Sequence, residues 1–495
     1  MKIKGLRWWT ISLIALVTII NYIDRNALSI MWPQISKEFN LTKEHYTMIV
    51  SFFMAAYAVS QSVSGKIYDM IGTRLGFVFS ICIWSISSGL HSISGGLFSF
   101  ATLRCFLGFG EAGNWPGAAK SNAEWFPTKE RAFAQGIFNA GASIGAIISA
   151  PLIAFLFTTF GWRATFPIIA SFGLLWLIPW LLINKGVPSN NPYITEAEKE
   201  YILRGQQGNT NNDDKPLSWK SLLRIKQSYA LIISRFFLDP IWWMFVAWLP
   251  IYLSEKFHFD VKQIGLFAWV PYVGAAAGSL IGGWISGFLI SKGWTLNKAR
   301  KFAILAGGII CFPALLLTAN ANEPLQAVLL IAVILFGFQF SINNIQTLPG
   351  DYLTGKNVGS LSGLGGAAAS IGVLICMWFV PWLSKISWSY FFFMGAVLVP
   401  LGIASLFIFS GDIQKLELIN DVGFVGTERK SDFPKFAVAT TGGFFTCAMT
   451  TLLSIATNGV IPGGFFVGLI GFVLGYLITI LAVSLRSNKE FDSDK

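Results

Sequence analysis

Apolar runs of about twenty residues recur along almost the whole chain, each broken by a short polar turn, and about twenty helical residues cross the hydrocarbon core of a bilayer. The runs fall at 8–32, 47–68, 75–96, 98–120, 132–158, 164–184, 228–253, 263–290, 301–319, 325–347, 358–384 and 387–410, and predict twelve transmembrane helices. Two more, at 436–456 and 460–484, predict an additional hairpin. A polar stretch at 186–227, with Gly208-Asn209-Thr210-Asn211-Asn212-Asp213-Asp214 inside it, splits the twelve into six and six and reads as a mobile linker. The organisation expected is an N-terminal six-helix half at 1–185, a cytoplasmic linker at 186–227 and a C-terminal six-helix half at 228–411. A polar linker at 412–434 and an extra two-helix hairpin at 435–486 follow.

Composition agrees with an all-α membrane protein. The 495 residues are 54% hydrophobic and only 12% charged, against roughly 25% charged in soluble proteins. The net charge of +11 raises the question of nucleic acid, but the basic residues lie between spans and build no basic domain. With the N-terminus in the cytoplasm, about 27 Lys/Arg fall on the cytoplasmic side and about 6 outside, with Arg25, Arg104 and Arg235 in or at the edge of spans. The surplus is therefore topology. A multi-pass protein of the cell (inner) membrane with both termini cytoplasmic is expected. The first run is too long for a cleaved signal and is interrupted by Asp24 and Arg25.

Other chemistries find little support. Five cysteines form no CxxC and three histidines stand apart, so neither metal nor cofactor is expected. Gly350-Asp351-Tyr352-Leu353-Thr354-Gly355-Lys356-Asn357 nearly matches a phosphate-binding loop. Asn357 replaces the Ser or Thr that would hold Mg²⁺, and no strand precedes it. No nucleophile–base set points to an enzyme. The two extra spans, 436–456 and 460–484, are uncharged and glycine-rich, which suits peripheral packing or self-association of an otherwise monomeric protein.

Charges inside spans carry the functional signal. Each costs about 2.5–3.5 kcal/mol on insertion scales, so a chain keeps them paired, facing water, or at work. At 1.5 Å per residue, Asp24 and Arg25 lie about 24 Å from the cytoplasmic start of span 1, while Arg104 and Glu111 lie about 9 and 20 Å below the outer start of span 4. All four fall between the midplane and the outer half. Neighbouring residues diverge by about 100° on a helix, so cross-helix pairing is expected: Asp24 with Arg104, and Arg25 with Glu111. Two acids and two bases in a low-dielectric site make a proton switch. When an anionic substrate draws the arginine away, the abandoned carboxylate takes up a proton. Polar residues elsewhere in the spans suit a polyhydroxylated ligand. They are Tyr22, Tyr57, Gln61 and Asn139 in the first half, and Asn343, Asn344, Gln346, Thr347 and Ser362 in the second. Asp239-Pro240 reads as a helix break, and Trp242 and Trp243 as candidates to stack on a sugar face.

Longer motifs carry a family resemblance. Gly65-Lys66-Ile67-Tyr68-Asp69-Met70-Ile71-Gly72-Thr73-Arg74 after span 2 resembles the cytoplasmic signature of the major facilitator superfamily. A weaker copy follows span 8, with Gly287 where an acidic residue is usual. The resemblance implies a twelve-helix fold of two pseudo-symmetric halves, with Asp69 capping a neighbouring helix and Arg74 pairing locally to hold a gate. Asn21-Tyr22-Ile23-Asp24-Arg25, Gly108-Phe109-Gly110-Glu111-Ala112 and Glu124-Trp125-Phe126-Pro127 resemble the anion:cation symporter branch. Arg235 to Trp243 and Ala268-Trp269-Val270-Pro271-Tyr272 are similar to hexuronate transporters. That branch implies proton coupling at Asp24 and Glu111 and substrate binding by Arg25. The expected activity is proton-coupled import of sugar-acid anions by alternating access, glucuronate and galacturonate foremost. Tyr22, Tyr57, Gln61, Arg104, Asn139, Trp243, Asn343, Asn344, Thr347 and Ser362 are the further substrate-site candidates. The alternatives are an anion exchanger, a carrier of an aldonate or glucarate, or a transport-dead sensor.

Overall fold

The computed structural model describes residues 2–206, 217–259, 261–353, 355–416, 418–419 and 423–424. The expected hairpin at 435–486 and residues 208–214 lie outside the described residues. The main unit, 1–416, is helical. In lipid every backbone N–H and C=O must be satisfied within its own segment, so long apolar runs become helices. They are α1 (Leu6–Glu38), α2 (Lys43–Leu90), α3 (Leu97–Glu111), α4 (Asn114–Trp125), α5 (Arg131–Ile183), α6 (Glu196–Gly205), α7 (Trp219–Leu222) and α8 (Lys226–Phe257). Then come α9 (Val261–Phe267), α10 (Val270–Ser291), α11 (Leu296–Ala319), α12 (Pro324–Gln346), α13 (Leu348–Tyr352), α14 (Val358–Ile386) and α15 (Trp388–Phe409). The second unit contributes a two-residue antiparallel ladder, β1 (Leu418–Ile419) with β2 (Gly423–Phe424).

Nine helical stretches among the described residues are long and apolar enough to cross a membrane. Two of them are double: α2 folds at Gly72 (φ 80°) and α5 at Gly161 (φ 76°), where a side chain would be strained. The pair α3–α4 supplies one more crossing, so twelve crossings result.

Several local expectations are corrected. The fourth span is not one helix. It breaks at Ala112–Gly113, because Pro116 has no N–H to give to the carbonyl four residues back. The eighth breaks likewise between α9 and α10, just before Pro271. At Asp239-Pro240 there is no break: α8 runs through both Pro240 and Pro250, as membrane helices tolerate. The 186–227 stretch is not simply loose, since α6 docks on the start of α1. Glu198 accepts hydrogen bonds from the Leu6 and Arg7 amides and pairs with the Arg7 guanidinium at 2.8 Å.

The two sets of six crossings meet most closely at the face that carries the basic turns. There α2 lies on α14 and α5 on α10. A Cβ on Gly65 would stand 2.1 Å from the Gly359 carbonyl oxygen, and one on Gly136 2.3 Å from that of Ser279, so only glycine admits these backbones. At the opposite face the prominent polar ties stay within one set: Glu38 with Arg163 and Trp162, and Glu255 with Trp388.

Candidate functional site

A small central cavity, about 50 Å³, lies between the two sets. Tyr22 and Arg25 of α1, Tyr57 and Gln61 of α2, Trp115 of α4 and Asn139 of α5 line one side. Arg235, Asp239, Trp242 and Trp243 of α8, Gln339 and Gln346 of α12 and Ser370 of α14 line the other. The cross-set hydrogen bond from Trp242 Nε1 to the Tyr22 hydroxyl, 3.2 Å, joins the two walls.

Arg25 is the centre of the first wall. Its Nε and Nη2 both donate to Glu111 Oε2, at 3.0 and 2.8 Å, and Nη2 also reaches Asn21 Oδ1. Glu111, the last residue of α3, is fully buried. The break after it turns the chain away and leaves this carboxylate at the helix end. Four aromatic rings surround the guanidinium: Tyr22, Phe53, Tyr57 and Trp243, with centroids 5.1–5.5 Å from Cζ. Such rings stabilise a desolvated cation. Arg25 Nη1 and Glu111 Oε1 are buried without hydrogen-bond partners.

The expected Asp24–Arg104 pair does not form. Asp24 Oδ1 accepts from Ser88 Oγ at 2.6 Å, and Arg104 Nη1 donates to the Arg25 carbonyl at 3.3 Å. With Arg25 aimed at α3 and the cavity, the helical step turns Asp24 toward the second arm of α2, where Ser88 stands. Neither Asp24 nor Arg104 lines the cavity.

Of the other candidates, Tyr22, Tyr57, Gln61, Asn139 and Trp243 line the cavity, while Asn343, Asn344, Thr347 and Ser362 do not. Asn139 bonds both Asn343 and Gln346 across the interface. Asn344 binds the Gly282 and Phe340 carbonyls and accepts from Arg300, and Thr347 donates to the Asn344 carbonyl and Asp351. Ser362 is buried in α14 near the α2 contact. Asn139, Asn343 and Asn344 tie neighbouring helices together.

Asp69 accepts from the Gly359 and Ser360 amides at 3.0 and 2.6 Å. It thereby caps α14, where a carboxylate also favours the helix dipole. Its cationic partner is Lys120 at 3.2 Å, not Arg74. Arg74 instead offers its carbonyl to Trp180 Nε1. Behind Gly350, Asp351 pairs with Arg131 at 3.3 Å and with Arg300 at 2.8 Å. Sequence reasoning gave no role to Arg235, Asp239, Trp115, Gln339, Ser370, Lys120, Arg131 or Asp351. Arg235 and Asp239 had the signal already used for Arg25, charges inside an apolar run. They pair at i,i+4 on α8, with Nη2 to Oδ2 at 2.6 Å. Asp351 was hidden in the resemblance to a phosphate loop.

A polar, partly charged cavity between two six-crossing sets, sealed at one face by buried ion pairs, defines a multi-pass membrane transporter rather than an enzyme. The profile of the Major Facilitator Superfamily matches residues 14–352, and the chain belongs to that family. The hexuronate transporter of Escherichia coli strain K12 is 32% identical over 370 residues, 74% of this chain and 85% of that one. The galacturonate transporter of Dickeya chrysanthemi is 31% identical over 313 residues, 62% and 90% of the two chains. Among solved structures, the human organic anion transporter MFSD10 superposes with a TM-score of 0.61 at 15% identity. It covers 82% of this chain and 100% of that one, a likeness of fold.

Proposed function

We propose that the protein is a proton-coupled symporter that imports sugar-acid anions, hexuronates such as galacturonate and glucuronate foremost, across the cytoplasmic membrane with its basic face inward. The single observation that carries this is Arg25: a guanidinium at the cavity wall, held by a fully buried carboxylate and still possessing an unpartnered donor. The names of the relatives support the substrate class.

The cycle follows from charge balance. Protonation of Glu111, through its unpartnered Oε1, releases Arg25 from its ion pair. A guanidinium so released takes a carboxylate through two parallel hydrogen bonds. Proton and anion then enter together, because either alone leaves a buried charge uncompensated at a cost of several kcal/mol. The structure is closed at the basic face, so the loaded site must next open there. That requires parting Asp351 from Arg131 and Asp69 from α14, and makes Asp69 a gating residue. Arg74 secures the turn through its backbone. Once substrate leaves, Arg25 recaptures Glu111 and expels the proton. Asp24, with Oδ2 unpartnered beside Ser88, is the second protonatable group on the path. It does not face the substrate.

The test is uptake of labelled galacturonate and glucuronate into proteoliposomes with and without an inward proton gradient. Uptake should accelerate with the gradient and collapse with a protonophore. Glu111→Gln should lose gradient dependence yet still exchange preloaded substrate. Uptake indifferent to the gradient, with Glu111→Gln fully active, would defeat the coupling.

A further inference from the structure

The cavity's unpartnered polar atoms divide by chemistry. On α1, Arg25 Nη1 is a buried cationic donor. Across the cavity are the acceptors Asp239 Oδ1 on α8 and Gln339 Oε1 on α12, and beside Arg25 on its own wall is Gln61 Oε1 on α2, all buried and unpartnered. The amides can turn a donor toward a ligand by rotating. Asp239 cannot, since an ionised carboxylate only accepts. Its other oxygen takes both Nε and Nη2 of Arg235, at 3.2 and 2.6 Å. The second guanidinium at the cavity is thus already taken up by Asp239.

Arg25 and Asp239 line the same cavity. The Arg25 guanidinium sits 5.3 Å from the Trp243 ring. Asp239 lies four residues earlier on the same helix, about 6 Å along its axis. That interval matches the reach of a six-carbon chain from end to end. A solute whose carboxylate engages Arg25 shares the cavity with Asp239 on the facing wall.

We propose that Asp239 makes this site accept sugar acids with one carboxylate and reject those oxidised to carboxylates at both ends. The proposal rests on the sugar-acid reading above. At the far end a hydroxyl donates to Oδ1 and satisfies it. A second carboxylate has no proton to give and places like charges together where water is scarce. Sites built to pair a substrate hydroxyl discriminate strongly against ligands that leave the site's polar group unpaired.

The experiment is competition against labelled galacturonate on the purified full-length protein, using unlabelled galacturonate and galactarate, its doubly oxidised counterpart. In the wild type galactarate should compete at least about thirtyfold more weakly. Asp239→Asn, which can turn an amide donor to the ligand and frees Arg235, should narrow that ratio at least about tenfold by strengthening galactarate. Asp239→Glu should preserve it. If Asp239→Asn does not fold, the double variant Arg235→Gln/Asp239→Asn leaves no bare charge and should narrow the ratio in the same direction. An unchanged ratio in a variant that still binds galacturonate overturns the proposal alone, as does equal competition in the wild type. A wild type that binds neither acid overturns this proposal together with the sugar-acid reading.

Discussion

Two buried arginine–carboxylate clusters in this molecule use the same residue types differently. At the basic face, Asp351 joins Arg131 and Arg300, and every guanidinium nitrogen has an acceptor. Arg131 also binds the Phe126, Gly350 and Ala123 carbonyls. Arg300 binds Ser286, Asn344 and the Thr128 carbonyl. At the cavity, Arg25 and Glu111 each keep one atom unpartnered, and so do Nε and Nη2 of nearby Arg104. A saturated cluster fastens two halves and has nothing left to offer a ligand. An unsaturated one carries a standing cost that an arriving anion or proton relieves, as the proposed coupling requires.

The largest expected effect comes from removing the cavity cation. Arg25→Gln should lower galacturonate uptake at least about a hundredfold, the scale of losing a charge-assisted bidentate contact, while leaving the Asp351 fastening intact. Retained uptake would erase the distinction between the clusters. Next is the fastener. Asp351→Asn strips the carboxylate from two buried guanidiniums, a change worth about 3–5 kcal/mol. With a reporter cysteine at Ala142 in the cavity wall, labelling from the basic face should rise sharply while galacturonate binding persists. Unchanged labelling would mean that Asp351 does not hold this face shut.

The smallest effect concerns Lys415, beyond the last crossing, whose ammonium donates to the Gly350 and Leu353 carbonyls. Burial, together with the Arg131 charge, brings its pKa down from 10.5 to about 7. Below pH 7 the lysine is protonated both folded and unfolded. Between about 7 and 10.5 only the unfolded chain holds the proton, so this residue makes stability rise with pH across that window. Melting curves at pH 6 and pH 9 should show the rise, and Lys415→Met should flatten it. A slope unaffected by the substitution would place the titration elsewhere.

Much of the architecture was legible because its cause is one-dimensional. Lipid demands long apolar runs, so the run lengths gave the crossings and the basic turns gave the face on which the connections gather. The Arg25–Glu111 pair was legible for a similar reason: the cost of a charge in a span points to a partner at the same depth. Rotation about each helix was not legible. Depth alone allowed Asp24 to meet Arg104, but the angular step from Arg25 sends it to Ser88. Pro116 and Pro240 show the same limit, since one breaks its span and the other does not.

The sequence by itself therefore determined a helical membrane transporter with intramembrane charge, through run length, charge placement and motif. Only the tertiary structure decided which charges face the cavity and which fasten the halves. It set Asp239 opposite Arg25, Lys120 rather than Arg74 on Asp69, and Asp351 between two arginines. The reason is physical. Hydropathy reports how deep a residue lies, whereas a contact depends on which way its helix is turned and what the neighbouring helix presents, and those are fixed only when the helices pack.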